Sequence, residues 1–200
     1  MGSASAAGKL EMHSTSQPDI KEENCNACGQ CDKYCASKAM TINKRKKAEI
    51  NSAKCTGCGQ CIAVCQYDAA CVVWDSSTDI TCCKIAEYSL ATIKDKPHFH
   101  ISFIMDVSPD CDCWGHNDAA IVPDIGIAAS FDPVALDKAC ADMVTAAAAN
   151  TDTCLNVDKS GMLKGKDKFK MIHPRSDWKV GLAYAEKIGL GSMNYELIEC

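Results

Sequence analysis

Two eleven-residue stretches, CNACGQCDKYC from Cys25 and CTGCGQCIAVC from Cys55, repeat one pattern at an offset of 30 residues. Each reads C-x2-C-G-Q-C-x3-C, so eight of the 16 cysteines in this 200-residue chain sit at fixed intervals. The opening MGSASAAGKLEMHSTSQPDI lacks the apolar stretch of about 7–15 residues that an export signal requires. It also misses the myristoylation pattern, because residue 6 is Ala6. No apolar run reaches the roughly 18 residues of a membrane span. A cytoplasmic, reducing location is therefore expected, where clustered cysteines hold metal more often than they form disulfides.

The spacing is that of the bacterial two-cluster ferredoxin run, in which the fourth cysteine of each run ligates the other cluster. It predicts two [4Fe–4S] clusters, one held by Cys25, Cys28, Cys31 and Cys65, the other by Cys55, Cys58, Cys61 and Cys35. Three thiolates at i, i+3 and i+6 wrap a short loop around one cube, so that each sulfur reaches a different iron. Gly29 and Gly59 suit backbone that approaches the inorganic core with positive φ. The bacterial run ends in C-P, whereas Ala36 and Gln66 follow the fourth cysteines here. Ligation is untouched by that change, but two N–H groups are freed, and these are expected to be able to bond to sulfur. Paired CxxC units also build zinc ribbons. Two complete runs with no thiol missing favour iron–sulfur over a zinc-stabilised structural or binding module.

Around this module the chain divides into a flexible lead-in (1–20), a two-cluster ferredoxin-like module (21–75) and a partial α/β domain (76–200), an α+β or α/β fold overall. GSASAAGKL only superficially resembles a phosphate-binding loop: five residues separate Gly2 from Gly8, and Leu10 stands where Ser or Thr belongs. The run Lys44 to Lys47 reads as a solvated turn between two short strands. With a formal net charge of −5, a nucleic-acid surface is not expected.

Beyond the module, CVVW from Cys71 reads as a short strand, and TCCKIAEYSLATIK as a helix with Cys82 on its buried side. HFHISFIMDV alternates as a strand, with Phe99, Ile101, Phe103, Met105 and Val107 on one side. Ile125 to Ser130 gives another strand. Asp132 is then placed to cap a helix with Pro133 at its first position. A helix from Trp178 stops at Gly189, and YELIE reads as a terminal strand. So few strands leave apolar faces poorly covered, so more sheet is expected from another chain or from sequence upstream.

The segments GKLEMHS, EYSLATIK, FIMDVSPDCDC, IVPDIGIAASFDPVALDKACADMV and WKVGLAYAEKIGLGSMNYELIE resemble the iron–sulfur members of domain-of-unknown-function family 362. That resemblance implies a ferredoxin module inserted in an α/β domain, with Met1 lying inside a longer domain. It carries over the eight cluster cysteines and no catalytic residue.

Eight cysteines remain uncommitted. CDCWGHND sets Cys111, Cys113 and His116 together after a strand, with Asp106, Asp110, Asp112, Asp118 and Asp124 nearby. This is a candidate extra metal or thiol-redox site. The plainer reading is a loop whose aspartates cap helices and whose cysteines pack. His98 and His100 are expected to be satisfied by backbone or solvent. The function expected is electron transfer, as a protein or as a subunit of an oxidoreductase with a redox partner. The alternative is an enzyme with its active site in the loop 106–124.

Overall fold

The computed structural model describes residues 3–14, 17–74, 76–111, 114–156 and 163–199. Among them the chain is a mixed α/β protein with seven α-helices and three two-stranded antiparallel sheets. It divides into two compact units, Met1–Tyr88 and Ser89–Cys200.

The first unit opens with α1 (Ala6–His13), where the sequence suggested a flexible lead-in. The Ser5 hydroxyl caps it by accepting the Gly8 N–H at 3.2 Å. Leu10 and Met12 are buried, and Tyr88 donates to the Glu11 carboxylate at 2.8 Å while Lys84 pairs with it at 3.3 Å. Those tertiary partners, invisible to local composition, hold the helix. Then come β1 (Pro18–Ile20), α2 (Gln30–Lys33), β2 (Met40–Ile42), β3 (Ala48–Ile50), α3 (Gln60–Ala63) and β4 (Ala70–Val72). Pro18 pairs with Val72 and Ile20 with Ala70, while Met40 pairs with Ile50 and Ile42 with Ala48. The basic run is the turn joining β2 to β3, as expected.

The sequence repeat is also a backbone repeat. Gly29 and Gly59 have φ of 75° and 72°, Ala27 and Gly57 61° and 68°, and Lys38 and Asp68 50° each. All three pairs are offset by the period of the cysteine runs. The left-handed conformation inferred for the two glycines is present, and it precedes α2 and α3 directly.

Helix α4 (Thr78–Ile93) matches its predicted periodicity, with Ala86 buried and Cys82 half-buried. Its first turns group with the first unit rather than with residues 76–200 as a block. In the second unit β5 (His100–Ile104) pairs with β6 (Gly126–Ser130), Ile101 opposite Ala129 and Phe103 opposite Ile127. The α/β layer expected here is one antiparallel pair covered on a single face by α5 (Pro133–Ala146). Ile104, Ile121, Val122 and Val144 form its core, with Cys140, Met143 and Phe169 packed around them. Asp132 caps α5 as predicted, accepting from the Val134 and Ala135 N–H groups at 2.8 and 3.0 Å. Two further helices follow, α6 (Lys168–Ile172) and α7 (Trp178–Lys187), and Gly189 at φ 80° ends the latter.

The terminal strand expected from YELIE is not formed. Side chains hold that segment instead of a sheet ladder: Glu186 accepts the Met193 N–H at 2.9 Å, and Tyr195 donates to Asp142 at 2.8 Å. Among the described residues no helix is long and apolar enough to cross a membrane.

Candidate metal centre

Each cysteine run is a tight loop entered through left-handed residues and closed by one helical turn. Cys25, Cys28 and Cys31 of the first run line one cavity with Cys65, the fourth cysteine of the second run. The rest of that lining is largely apolar, with Ile20, Ile42 and Ala70 contributing. Cys61 is buried in the adjoining core, against which Cys25, Cys31, Cys35 and Cys65 pack. Lys47, from the basic turn, donates to the Cys25 carbonyl at 2.8 Å and anchors the start of the first loop.

The electrostatics separate two kinds of thiol. Burial, reinforced by neighbouring Cys31, Cys55 and Cys58, pushes the Cys61 thiol up to about 11. Cys31 is raised by burial too, with Cys28 and Cys25 adding to the effect. Cys61 thus has neighbours from both runs, Cys31 from the first and Cys55 and Cys58 from its own. The fourth cysteines behave oppositely. Burial acts to raise Cys35, but hydrogen bonds from Ser37, Ala39 and Met40 outweigh it and hold the thiol below its usual range. Cys65 is lowered likewise, against burial, by backbone bonds from Ala70, Tyr67 and Ala69. The Ala39 N–H reaches Cys35 Sγ at 3.2 Å, the Ala70 N–H reaches Cys65 Sγ at 3.5 Å, and the Ala48 N–H reaches Cys25 Sγ at 3.3 Å. Sulfur-directed N–H groups were expected at Ala36 and Gln66. Those at Cys35 and Cys65 come later in the chain, where the turn after each fourth cysteine curls back over its sulfur, and Ala48 reaches Cys25 from β3.

Cys28 and Cys58 are exposed. Cys58 opens onto a groove of about 470 Å³ that is lined mainly by apolar surface, including Leu10, Ile62 and Trp74. His13 meets the Trp74 ring edge-on with centroids 4.9 Å apart. Sequence reasoning missed this groove, because one wall comes from α1.

The CDC loop has a different character. Asp112 and Cys113 lie outside the described residues, while Cys111 and His116 are both exposed. Asn117 organises the loop, accepting the Asp110 N–H at 3.1 Å and donating to Ser108 Oγ at 3.1 Å and to the Asp110 carbonyl at 3.0 Å. Asp124 accepts the Asp106 N–H at 3.0 Å. Two distant residues join it. His173 Nε2 lies 2.8 Å from the Pro109 carbonyl, and Cys154 is pushed up by burial and by the charges of Asp118 and Asp110. Neither carries a local sequence signal. His98 and His100 stand apart from this loop's bonds, with Nδ1 of the former 3.0 Å from Nε2 of the latter. Among the described residues no three His, Cys, Asp or Glu side chains are grouped so as to hold a metal ion.

The molecule is thus a mixed α/β protein in which two repeated cysteine loops face a common core. It belongs to a family described as a domain of unknown function, DUF362, whose model matches residues 1–142. The match covers both cysteine runs, β5, β6 and most of α5, and ends before α6 and α7. No curated protein and no solved structure matches the chain.

Proposed function

We propose that the chain holds two [4Fe–4S] clusters and carries electrons, either as a protein in its own right or as a component of an oxidoreductase. The observation that carries this reading is the cavity shared by Cys25, Cys28, Cys31 and Cys65, in which a thiol from the second run completes the triplet of the first. Such crossing is the ligation pattern of two-cluster ferredoxins. A single zinc ion draws its thiolates to about 2.3 Å from one point. Four cysteines spread along the lining of one cavity suit a cube, whose irons each take one thiolate.

Bound there, the clusters would supply one-electron chemistry. The chain's own residues would set its terms. The apolar lining excludes water, the N–H groups of Ala39, Ala48 and Ala70 stabilise negative charge on sulfur, and the exposed Cys28 and Cys58 bring each site to the surface. A net charge of −5 favours encounter with a basic redox partner.

Anaerobically purified protein is expected to be brown, with about eight irons and eight labile sulfides per chain. Colourless protein carrying stoichiometric zinc would refute the reading. Replacing Cys65 by Ser should damage the site of Cys25, Cys28 and Cys31 and spare that of Cys55, Cys58 and Cys61, dropping iron to about half. Replacing Cys111 and Cys113 by Ser should leave iron content unchanged.

A further inference from the structure

The sheet of β5 and β6 is covered on one side only. Its inner face, with Ile104 and Ala128, packs into the core beneath α5. Its outer face presents Phe99, Ile101, Phe103 and Met105 from one strand and Ile127 and Phe131 from the other, at 54, 56, 65, 46, 65 and 73% exposure. The register makes these one patch: Ile101 lies opposite Ala129 and Phe103 opposite Ile127, and the Phe99 and Phe131 rings meet edge-on with centroids 4.9 Å apart.

Size determines what such a patch implies. At about 150–250 Å² per large side chain, these exposures leave roughly 540–900 Å² of surface. The largest patch on a typical monomer is about 300–600 Å². A stable protein interface takes about 800 Å² from each partner. The sheet face therefore offers an area of the size that one partner contributes.

We propose that this face is a self-association surface, on which two copies of the chain pack their β5–β6 faces together about a two-fold axis. The composition favours a second copy over a transient redox partner. The competing occupant is the upstream sheet segment expected from the sequence, and a chain that stays monomeric at every concentration points to it. Transient interfaces are only about as apolar as ordinary surface, and homodimer interfaces are more so. A two-fold contact also requires just one patch that complements itself. The patch offers small and large side chains along one strand, Ala129 lying between the exposed Ile127 and Phe131. The product is a two-layer, four-stranded core with one α5 on each outer side, built as sheets stack in sandwiches. It does not depend on the iron–sulfur reading, since no cluster cysteine lies on this unit.

Sedimentation of the intact holoprotein tests the proposal. A mass of twice the 21.5 kDa monomer is expected, dissociating on dilution. Phe103→Glu and Ile127→Lys, at side chains already exposed in the monomer, should abolish the dimer while iron content and helicity stay unchanged. Because either variant could fail to fold, hydroxyl-radical footprinting of the unaltered protein gives a second readout. Phe103, Met105 and Phe131 should be protected at high concentration and oxidised at low concentration. A chain that stays monomeric at all concentrations, a dimer indifferent to both variants, or a face oxidised equally at every concentration would each overturn the proposal.

Discussion

Lys168 is the most buried charged residue described, with 0% exposure, and it has no carboxylate in hydrogen-bond contact. Its ammonium donates to the carbonyls of Val144, Thr145 and Leu163 at 3.0, 3.0 and 3.1 Å. Two of these are last-turn acceptors of α5, which have no partner within the helix, and the positive charge suits the negative end of the helix dipole. Lys168→Met would leave the Val144 carbonyl without a donor, while Thr145 and Leu163 keep the Gly165 and Lys166 N–H groups at 2.9 and 3.1 Å. A loss of about 1–3 kcal/mol is expected, measured as a shifted urea midpoint at unchanged slope. Ser37 acts at the same scale on the proposed second cluster, its Oγ 3.5 Å from Cys35 Sγ. A hydrogen bond to sulfur favours the reduced, more negative state, so Ser37→Ala should lower that cluster's potential. The expected drop is roughly 20–60 mV, from about 0.5–1.5 kcal/mol for one bond at about 59 mV per tenfold change. A redox titration followed by paramagnetic resonance measures it, and an unchanged or raised potential counts against Cys35 as a ligand.

Among the elements, α5 shows how a local signal acquires a distant partner. Asp132 both caps the helix and accepts the Ser192 N–H at 2.8 Å, tying the segment after α7 to the start of α5. A Cβ added at Gly191 would lie 2.1 Å from Asp132 Oδ1. That carboxylate is fixed by three N–H donors and has little room to swing aside. Gly191→Ala is therefore expected to cost about 1–2 kcal/mol, the worth of the cap, and thermal melts of this variant and of Asp132→Ala should fall together. The cap was legible from Asp132 and Pro133 alone because capping is decided within three residues; Gly191 was not, because its constraint comes from 59 residues earlier. The same division runs through the chain. Strand alternation in β5, the turn at Lys44 to Lys47 and the cysteine spacing are short-range patterns, and each was readable. YELIE has strand character, but a strand also needs an edge to pair with, and side-chain bonds claim that segment first. Helix α1 looked like a polar lead-in because the groups that hold it, Lys84 and Tyr88, lie on α4. Its docking should weaken in acid. The hydrogen bond from Tyr88 and the nearby Lys84, opposed by burial, hold Glu11 below its ordinary 4.5. With the folded value depressed, the contribution is present above about 4.5 and is lost as pH falls through the lower folded value. Amide exchange of residues 6–13 should accelerate there, and Glu11→Gln should remove that pH step.

At the scale of the molecule, the two units rest on different kinds of core. In the second, Ile104, Ile121, Val122 and Val144 are all 6% exposed or less and pack among further aliphatic and aromatic neighbours. In the first, β1 to β4 are three residues long, and among the described residues the buried cluster at the cysteine loops consists of Met40, Ala48, Cys61 and Ala70. Two-stranded hairpins of that length are marginal in water, and so small a core normally needs a staple. If eight iron–thiolate bonds are that staple, metal binding and folding of the first unit are one equilibrium. Stripping the iron anaerobically with a chelator should then deprotect the amides of residues 18–72, while those of β5, β6 and α5 keep their exchange rates. Hydrogen exchange read by mass spectrometry separates the two regions in one experiment. Equal loss of protection in both units would mean that they fold as a single cooperative block. Unchanged protection in the first would mean that its short strands stand without metal, and the proposed clusters would lose their structural role.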